Sequence, residues 1–258
     1  HMALQLGRAV SDGFRRTFTR AGGVLFLGLL LIQLGIQTSV NTAVAGFLPP
    51  EAAAQFSGAT GLVLPVSGGV GLALFAALTV VSSAYFVVLS RTFAQPLSEA
   101  STFPPALTER LGRATLVALV GGIVVSVAVT VGFFLLFFPG LFLAASFLFF
   151  VFVVAVEDGG VVGSLKRSWA LARGSRLKLA VLVFFSGVFG LVLGGVTAVV
   201  GLAGVPLAAD LITVTLSAAF FVPYYAIIAS AYLQLRDGRP NANRTAPEPV
   251  DASQMPKL

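Results

Sequence analysis

Long apolar runs alternate with short polar and basic ones along this chain, and the alternation predicts helices that cross a membrane. Six apolar stretches, about 22–46, 66–93, 115–138, 140–156, 177–203 and 207–233, recur along it. Each falls within or above the roughly 17–25 residues with which a helix spans a bilayer. Between and before them the pattern becomes amphipathic. In 3–20, Leu6, Val10, Phe14 and Phe18 lie four apart on one face, with Arg8, Asp12, Arg15 and Arg16 opposite. In 161–173, Val162, Leu165, Trp169 and Ala172 share a face while Lys166, Arg167 and Arg173 point elsewhere. Both read as interfacial helices lying on the membrane surface. A third, shorter amphipathic piece is expected over roughly 104–114.

The breaks follow from local chemistry. Residues 47–64 read as a loop with prolines and no Lys or Arg. Pro139-Gly140 predicts a hairpin tip, because proline cannot continue a helix and glycine permits a tight turn. Glu157-Asp158-Gly159-Gly160 ends the fourth span, with glycine supplying the left-handed conformation. Glu157 there opposes the helix dipole and needs a cation, Lys166 or Arg167 being nearest. Gly174-Ser175 ends the second amphipathic helix, and Pro223 predicts a kink in the sixth span. Residues 235–258, polar and proline-rich, are expected to be a disordered tail beyond a single membrane domain of 3–234.

Composition narrows the class. Hydrophobic residues make up 57% of the 258 and charged ones only 10%, far below the roughly 25% charged of a soluble domain. The chain is therefore read as an all-α, polytopic membrane protein with no room for a soluble catalytic domain. A net charge of +6 raises nucleic acid as a partner, but the cations cluster at the ends of apolar spans, which argues against it. With no cysteine there are no disulfides and no thiolate chemistry. His1-Met2 reads as the remnant of a cleaved tag, so the single histidine is set aside, and no cofactor or metal is expected. No signal peptide is read ahead of the first span. The preference for Arg over Lys, with abundant Ala, Gly and Val, suggests a high-GC prokaryote.

Charge also orients the chain. All sixteen Lys and Arg fall in the N-terminal helix, in 91–114, in 157–178 or in the tail. The three opposite loops hold only Glu51 and Asp210. By the tendency of cations to stay inside, both termini face the cytoplasm and the protein belongs to the cytoplasmic membrane. Each pair of spans then follows a basic amphipathic segment, which suggests three related helix-hairpin units.

Pro139-Gly140, a hydrophobic helix, and then Glu157, Gly160, Ser164-Leu165-Lys166-Arg167-Ser168-Trp169, Leu171 and Arg173-Gly174 form a motif. Over 139–174 the chain resembles the multi-pass membrane domain fused to some bacterial glycerophosphodiester phosphodiesterases, and equally a set of stand-alone prokaryotic membrane proteins. The resemblance implies a six-helix membrane module. It does not carry the phosphodiesterase chemistry, which belongs to a separate barrel domain that uses histidine, carboxylates and a metal.

Candidate chemistry is sparse. No ionisable residue falls near mid-span, which argues against a proton-coupled transporter, an ion pump or an intramembrane hydrolase. The spans carry a polar seam, Gln33, Gln37 and Asn41, whose amides require partners in hydrocarbon; Thr213, Tyr224 and Tyr225 on the sixth span are the expected ones. The seam reads either as interhelical hydrogen bonding or as the wall of a cavity for a polar or amphipathic solute. A basic cluster, Arg15, Arg16, Lys166, Arg167, Arg173, Arg176 and Lys178, reads either as topology determinants or as a surface for anionic lipid headgroups or an acidic partner. Small residues every four positions mark helix-packing stripes: Gly69, Ala73 and Ala77 in the second span, and Ser186, Gly190, Gly194 and Ala198 in the fifth. The fifth-span stripe suggests a homo-oligomer or a membrane-protein partner. The expectation is a non-enzymatic membrane scaffold or lipid-interacting module. The alternative is a permease component for an amphipathic or lipid-like substrate, working between the first and sixth spans.

Overall fold

In hydrocarbon every backbone N–H and C=O must be satisfied within the protein, and helices do this segment by segment. The computed structural model, which describes residues 4–96 and 105–238, is all-α. Its helices are α1 (Leu6–Thr17), α2 (Arg20–Phe47), α3 (Pro50–Ala59), α4 (Gly68–Phe93), α5 (Leu111–Leu135), α6 (Phe137–Phe147), α7 (Phe150–Glu157), α8 (Val161–Ala172), α9 (Arg176–Leu202) and α10 (Pro206–Asp237). Six stretches are long and apolar enough to span a bilayer: α2, α4, α5, α6 with α7, α9 and α10. The chain is a multi-pass membrane protein.

The spans close a ring in which α2 packs on α4, α4 on α5, α5 on α6, α6 on α9, α9 on α10 and α10 on α2. From the break after α6 the chain turns inward, and α7 packs on α4 and α5. There Phe149 and Phe152 are buried with Tyr232 of α10, the Phe152 and Tyr232 rings stacking 5.7 Å apart. At the end remote from α1, α2 and α4 nearly touch. A Cβ on Gly46 would lie 2.2 Å from the Gly68 backbone nitrogen, so no side chain fits at that crossing. The expected stripe of Gly69, Ala73 and Ala77 is turned outward; Gly68 and Gly71 make this contact instead.

Several expected boundaries move, each for a physical reason. The loop of 47–64 contains α3, started by Pro50 and by Glu51 in its first turn, where a carboxylate suits the dipole. The turn after α5 falls at the extended Leu136, and Pro139-Gly140 lies within the first turns of α6. Proline costs no hydrogen bond there, since first-turn N–H groups have no partner within the helix. Asp158, not a glycine, takes the left-handed conformation after α7 (φ 52°). Roughly 104–114 is not one amphipathic helix but a 3-10 turn, Pro105–Thr108, followed by the start of α5. α10 runs through Pro223 to Asp237, past the expected start of the tail at 235; residues 239–258 lie outside the described residues.

The two amphipathic helices make their closest contacts through small residues beside the expected apolar faces; of the face expected in α8, Ala172 is buried, Leu165 and Trp169 are half-buried and Val162 is exposed. α1 buries Ala9, Gly13 and Arg16 and packs on α10. A Cβ on Gly13 would lie 2.6 Å from Ile227, so only glycine lets the two helices approach this closely. α8 buries Ser164, Ser168, Leu171 and Ala172, while Val162 is 64% exposed. Ser168 donates to the Ser146 carbonyl at 3.0 Å and joins α8 to α6.

Candidate functional site

Because the spans alternate in direction, the ends of α4, α7 and α10 share one end of the bundle with the starts of α2, α5 and α9. All Lys and Arg among the described residues belong to segments at that end. The seven cations of the expected cluster share this end but not one task.

Arg16 is the clearest correction. Expected on an exposed face, it is buried, and its Nη1 donates to the carbonyls of Phe93 at 2.6 Å and Gln95 at 2.5 Å. These oxygens lie where α4 ends, so the guanidinium supplies both hydrogen bonds and the cation that a helix C-terminus favours. Burial lowers its pKa from the ordinary value, and the charge of Asp12 partly offsets this. Lys178 is likewise used on backbone, its Nζ donating to the Leu4 carbonyl at 2.6 Å. That bond ties the start of α9 to the residues leading into α1. Arg176 lies against two aromatic faces, its Cζ 4.3 Å from the Trp169 ring centre and 4.6 Å from that of Phe142. Cation–π attraction of this kind compensates a guanidinium whose Nε and Nη2 are buried with no partner among the described residues.

Arg167 supplies the cation expected for Glu157, its Nε lying 2.9 Å from Oε2. The other carboxylate oxygen accepts from the buried Tyr232 hydroxyl at 2.9 Å, so α7, α8 and α10 meet at one acid. Of the seven cations, Arg15, Lys166 and Arg173 are exposed and make no hydrogen bond or ion pair among the described residues. They are the part of the cluster open to a ligand.

In the sequence Arg91 counts only as one of the cations of 91–114. Its Nε donates to the Ala155 carbonyl at 2.7 Å, and its Nη1 to those of Leu107 at 2.8 Å and Glu109 at 2.7 Å. One side chain thus holds the end of α7 and the segment before α5. Beside it Arg110 pairs with Asp158 at 2.9 Å. These are the two non-glycine residues with positive φ among those described (49° and 52°): Asp158 where α7 ends and Arg110 just before α5 begins. The Arg110 hydrogen bond lowers the Asp158 pKa, with Arg113, Arg110 and Arg91 adding to it against a smaller desolvation effect. Arg91, Gln95, Glu109, Arg110 and Asp158 line a cavity of about 500 Å³.

The opposite end is organised by an acid. The Asp210 Oδ2 accepts from the backbone N–H groups of Gly61 at 3.0 Å and Leu62 at 3.1 Å, and from the Asn41 amide at 3.4 Å. Gln37 donates to Asn41 at 3.3 Å. The polar seam is therefore completed by Asp210 and not by the expected residues of α10. Thr213 donates to its own helix at Ala209, Tyr225 packs on Phe86 and Phe152, and the Tyr224 ring stacks on Phe220. A lone acid near the start of an otherwise apolar span was the available signal. Three of the four fifth-span stripe residues face outward: Gly190, Gly194 and Ala198 are exposed, and a Cβ at either glycine would meet no atom within 4 Å, whereas Ser186 is half-buried beside Tyr224 of α10. Ser186 donates to the Val183 carbonyl at 2.7 Å.

Two cavities open on the spans themselves. One, of about 480 Å³ between α4 and α5, is lined by the hydroxyl residues Thr79, Ser82, Ser83 and Ser126 and reaches Tyr225. The other, of about 490 Å³, lies between α1, α9 and α10 and has apolar walls. Gln33 and Gln37 line neither. Among curated proteins and among solved structures, none matches this chain. A family model does, over residues 4–235, a span that contains both ends of the bundle and every candidate site residue named above; the chain belongs to the family described as a domain of unknown function, DUF7847.

Proposed function

We propose that this protein is a non-enzymatic, lipid-interacting scaffold of the cytoplasmic membrane, with its basic end on the cytoplasmic side. The observation that carries the reading is the sign of the charge at that end. Three helix starts and three helix ends meet there, from α2, α5, α9 and from α4, α7, α10. Their dipoles oppose one another, so the helices by themselves ask for neither sign of charge. An anionic leaflet and the preference of cations for the cytoplasmic side ask for one sign only. Arg15, Lys166 and Arg173 then face headgroups, each contributing about 1 kcal/mol near an anionic surface. The exposed stripe of α9 gives such a scaffold a face on which a second helix packs closely, in a homo-oligomer or against a membrane-protein partner.

The test is native mass spectrometry of the protein purified with phosphatidylglycerol and phosphatidylcholine. The expected result is enrichment of phosphatidylglycerol that falls in an Arg15→Gln, Lys166→Gln, Arg173→Gln variant. Equal enrichment in the two proteins contradicts the reading. A permease component for an amphipathic substrate is the second reading, and the hydroxyl-lined cavity between α4 and α5 favours it. Substrate flux into protein-containing vesicles that is lost on Ser82→Leu with Ser126→Leu is the outcome it requires.

A further inference from the structure

α1 buries its long apolar stripe only in part: Leu6 and Val10 are half-buried, Leu6 against the core, while Phe14 and Phe18 are exposed. Leu6, Val10 and Phe14 form one wall of the apolar groove whose other walls include Val181 and Phe185 of α9 and Pro223 of α10. At about 490 Å³ the groove has the size of a small-molecule site, within the roughly 300–1,000 Å³ usual for one. It opens sideways: Phe14 is 47% and Phe185 61% exposed. An occupant of such a groove comes from the membrane. Lipid tails are as apolar as leucine, so a chain entering from the bilayer gains little from desolvation, and selectivity has to come from the headgroup.

Lys178 stands where that headgroup would be. It falls three, four and seven residues before Val181, Leu182 and Phe185, on the same face of α9 and about one turn, ~5 Å, beyond the groove. Its hydrogen bond to Leu4 is to a neutral carbonyl, so its charge is uncompensated; it is in none of the ion pairs among the described residues. The same bond draws together the starts of α1 and α9, and neither has an acid in its first turn or a capping side chain. Lys178 and the two helix starts favour an anion there, and the opposing contribution comes from the last turns of α10, where the Gln234 side chain accepts from the Gln5 N–H at 3.1 Å.

We infer that the groove between α1, α9 and α10 holds one acyl chain of an anionic glycerophospholipid whose phosphate meets Lys178. The inference rests on the lipid-interacting reading above and gives it a site and a ligand class. It also accounts for the part of the α1 stripe left unburied, which then covers a lipid chain.

Full-length protein is delipidated in detergent, given equal phosphatidylglycerol and phosphatidylcholine of the same chain length, and weighed intact. One phosphatidylglycerol per chain is expected to survive, preferred about fivefold over phosphatidylcholine, the effect of one cation at an anionic headgroup. Lys178→Gln removes the preference and keeps the lipid. Val181→Trp, and Val10→Trp from the facing wall, fill the groove and remove the lipid of either kind. The Arg15, Lys166 and Arg173 variant keeps it. Lipid retention indifferent to both tryptophan variants overturns the groove, and so does a wild type that retains none. A dimer lost with those two variants assigns the groove to a second copy and overturns it equally. Should the tryptophan variants keep their lipid while the triple variant loses its enrichment, the groove fails and the broader reading stands. The opposite pair of results keeps the groove and removes the exposed cations from the account.

Discussion

At the basic end, Arg16 and Arg91 reach carbonyl oxygens in the last turns of α4 and α7; at the other, the carboxylate of Asp210 takes backbone N–H groups from the loop after α3. Both ends use one charged side chain to satisfy several backbone groups that helix termini and loops leave open. They differ in what is left over. The Asp210 end has no cation among the described residues, whereas the basic end keeps exposed cations after its backbone has been served. Backbone satisfaction explains Arg16, Arg91 and Lys178; it does not explain Arg15, Lys166 or Arg173. That surplus is the feature that points outside the chain, toward lipid.

The contrast can be broken at three places. Arg91→Ala should cost the most, about 2–4 kcal/mol, because it strands carbonyls that now receive charged hydrogen bonds; thermal unfolding in detergent measures it. Arg91→Lys should recover little, since an ammonium lacks the fork that reaches both α7 and the segment before α5. Asp210→Ala should cost less, about 1–3 kcal/mol, by leaving the Gly61 and Leu62 N–H groups without their acceptor. Asp210→Asn, which keeps an acceptor oxygen, should cost less again. The combined Arg15, Lys166 and Arg173 variant should lie within about 0.5 kcal/mol of wild type, as exposed residues without partners do. If it melted as far below wild type as Arg91→Ala, the division between structural and surplus cations would be wrong.

The sequence announced the spans and the sidedness of charge because both are properties of long averages: twenty apolar residues outweigh any local accident. It also made the Glu157–Arg167 pair readable, since an acid at a helix C-terminus creates a demand that few nearby residues can meet. The buried faces of α1 and α8 were hidden for the opposite reason. Hydrophobic periodicity points to the largest apolar side chains, Phe14 and Trp169, whereas close contact selects small ones, Gly13, Ser164 and Ser168. In a membrane a large residue such as Phe14 has lipid to face and need not turn inward, while Trp169 packs beside the closest contact, against Phe142 and Phe147. Arg16 was misplaced because a helical wheel shows only its own helix; the carbonyls that hold it belong to Phe93 and Gln95, far along the chain. Asp210 was seen as a topology marker, and nothing local indicated that Gly61 and Leu62 would return to it.

The account stands or falls on which side the basic end faces, because only the cytoplasmic leaflet offers the anionic surface it invokes. The chain has no cysteine, so single cysteines introduced at the exposed Ser57 of α3 and Lys166 of α8 report their side without background. With a membrane-impermeant maleimide on intact cells, Ser57→Cys should label at once and Lys166→Cys only after permeabilisation. Labelling of Lys166→Cys from outside, with Ser57→Cys protected, would contradict it.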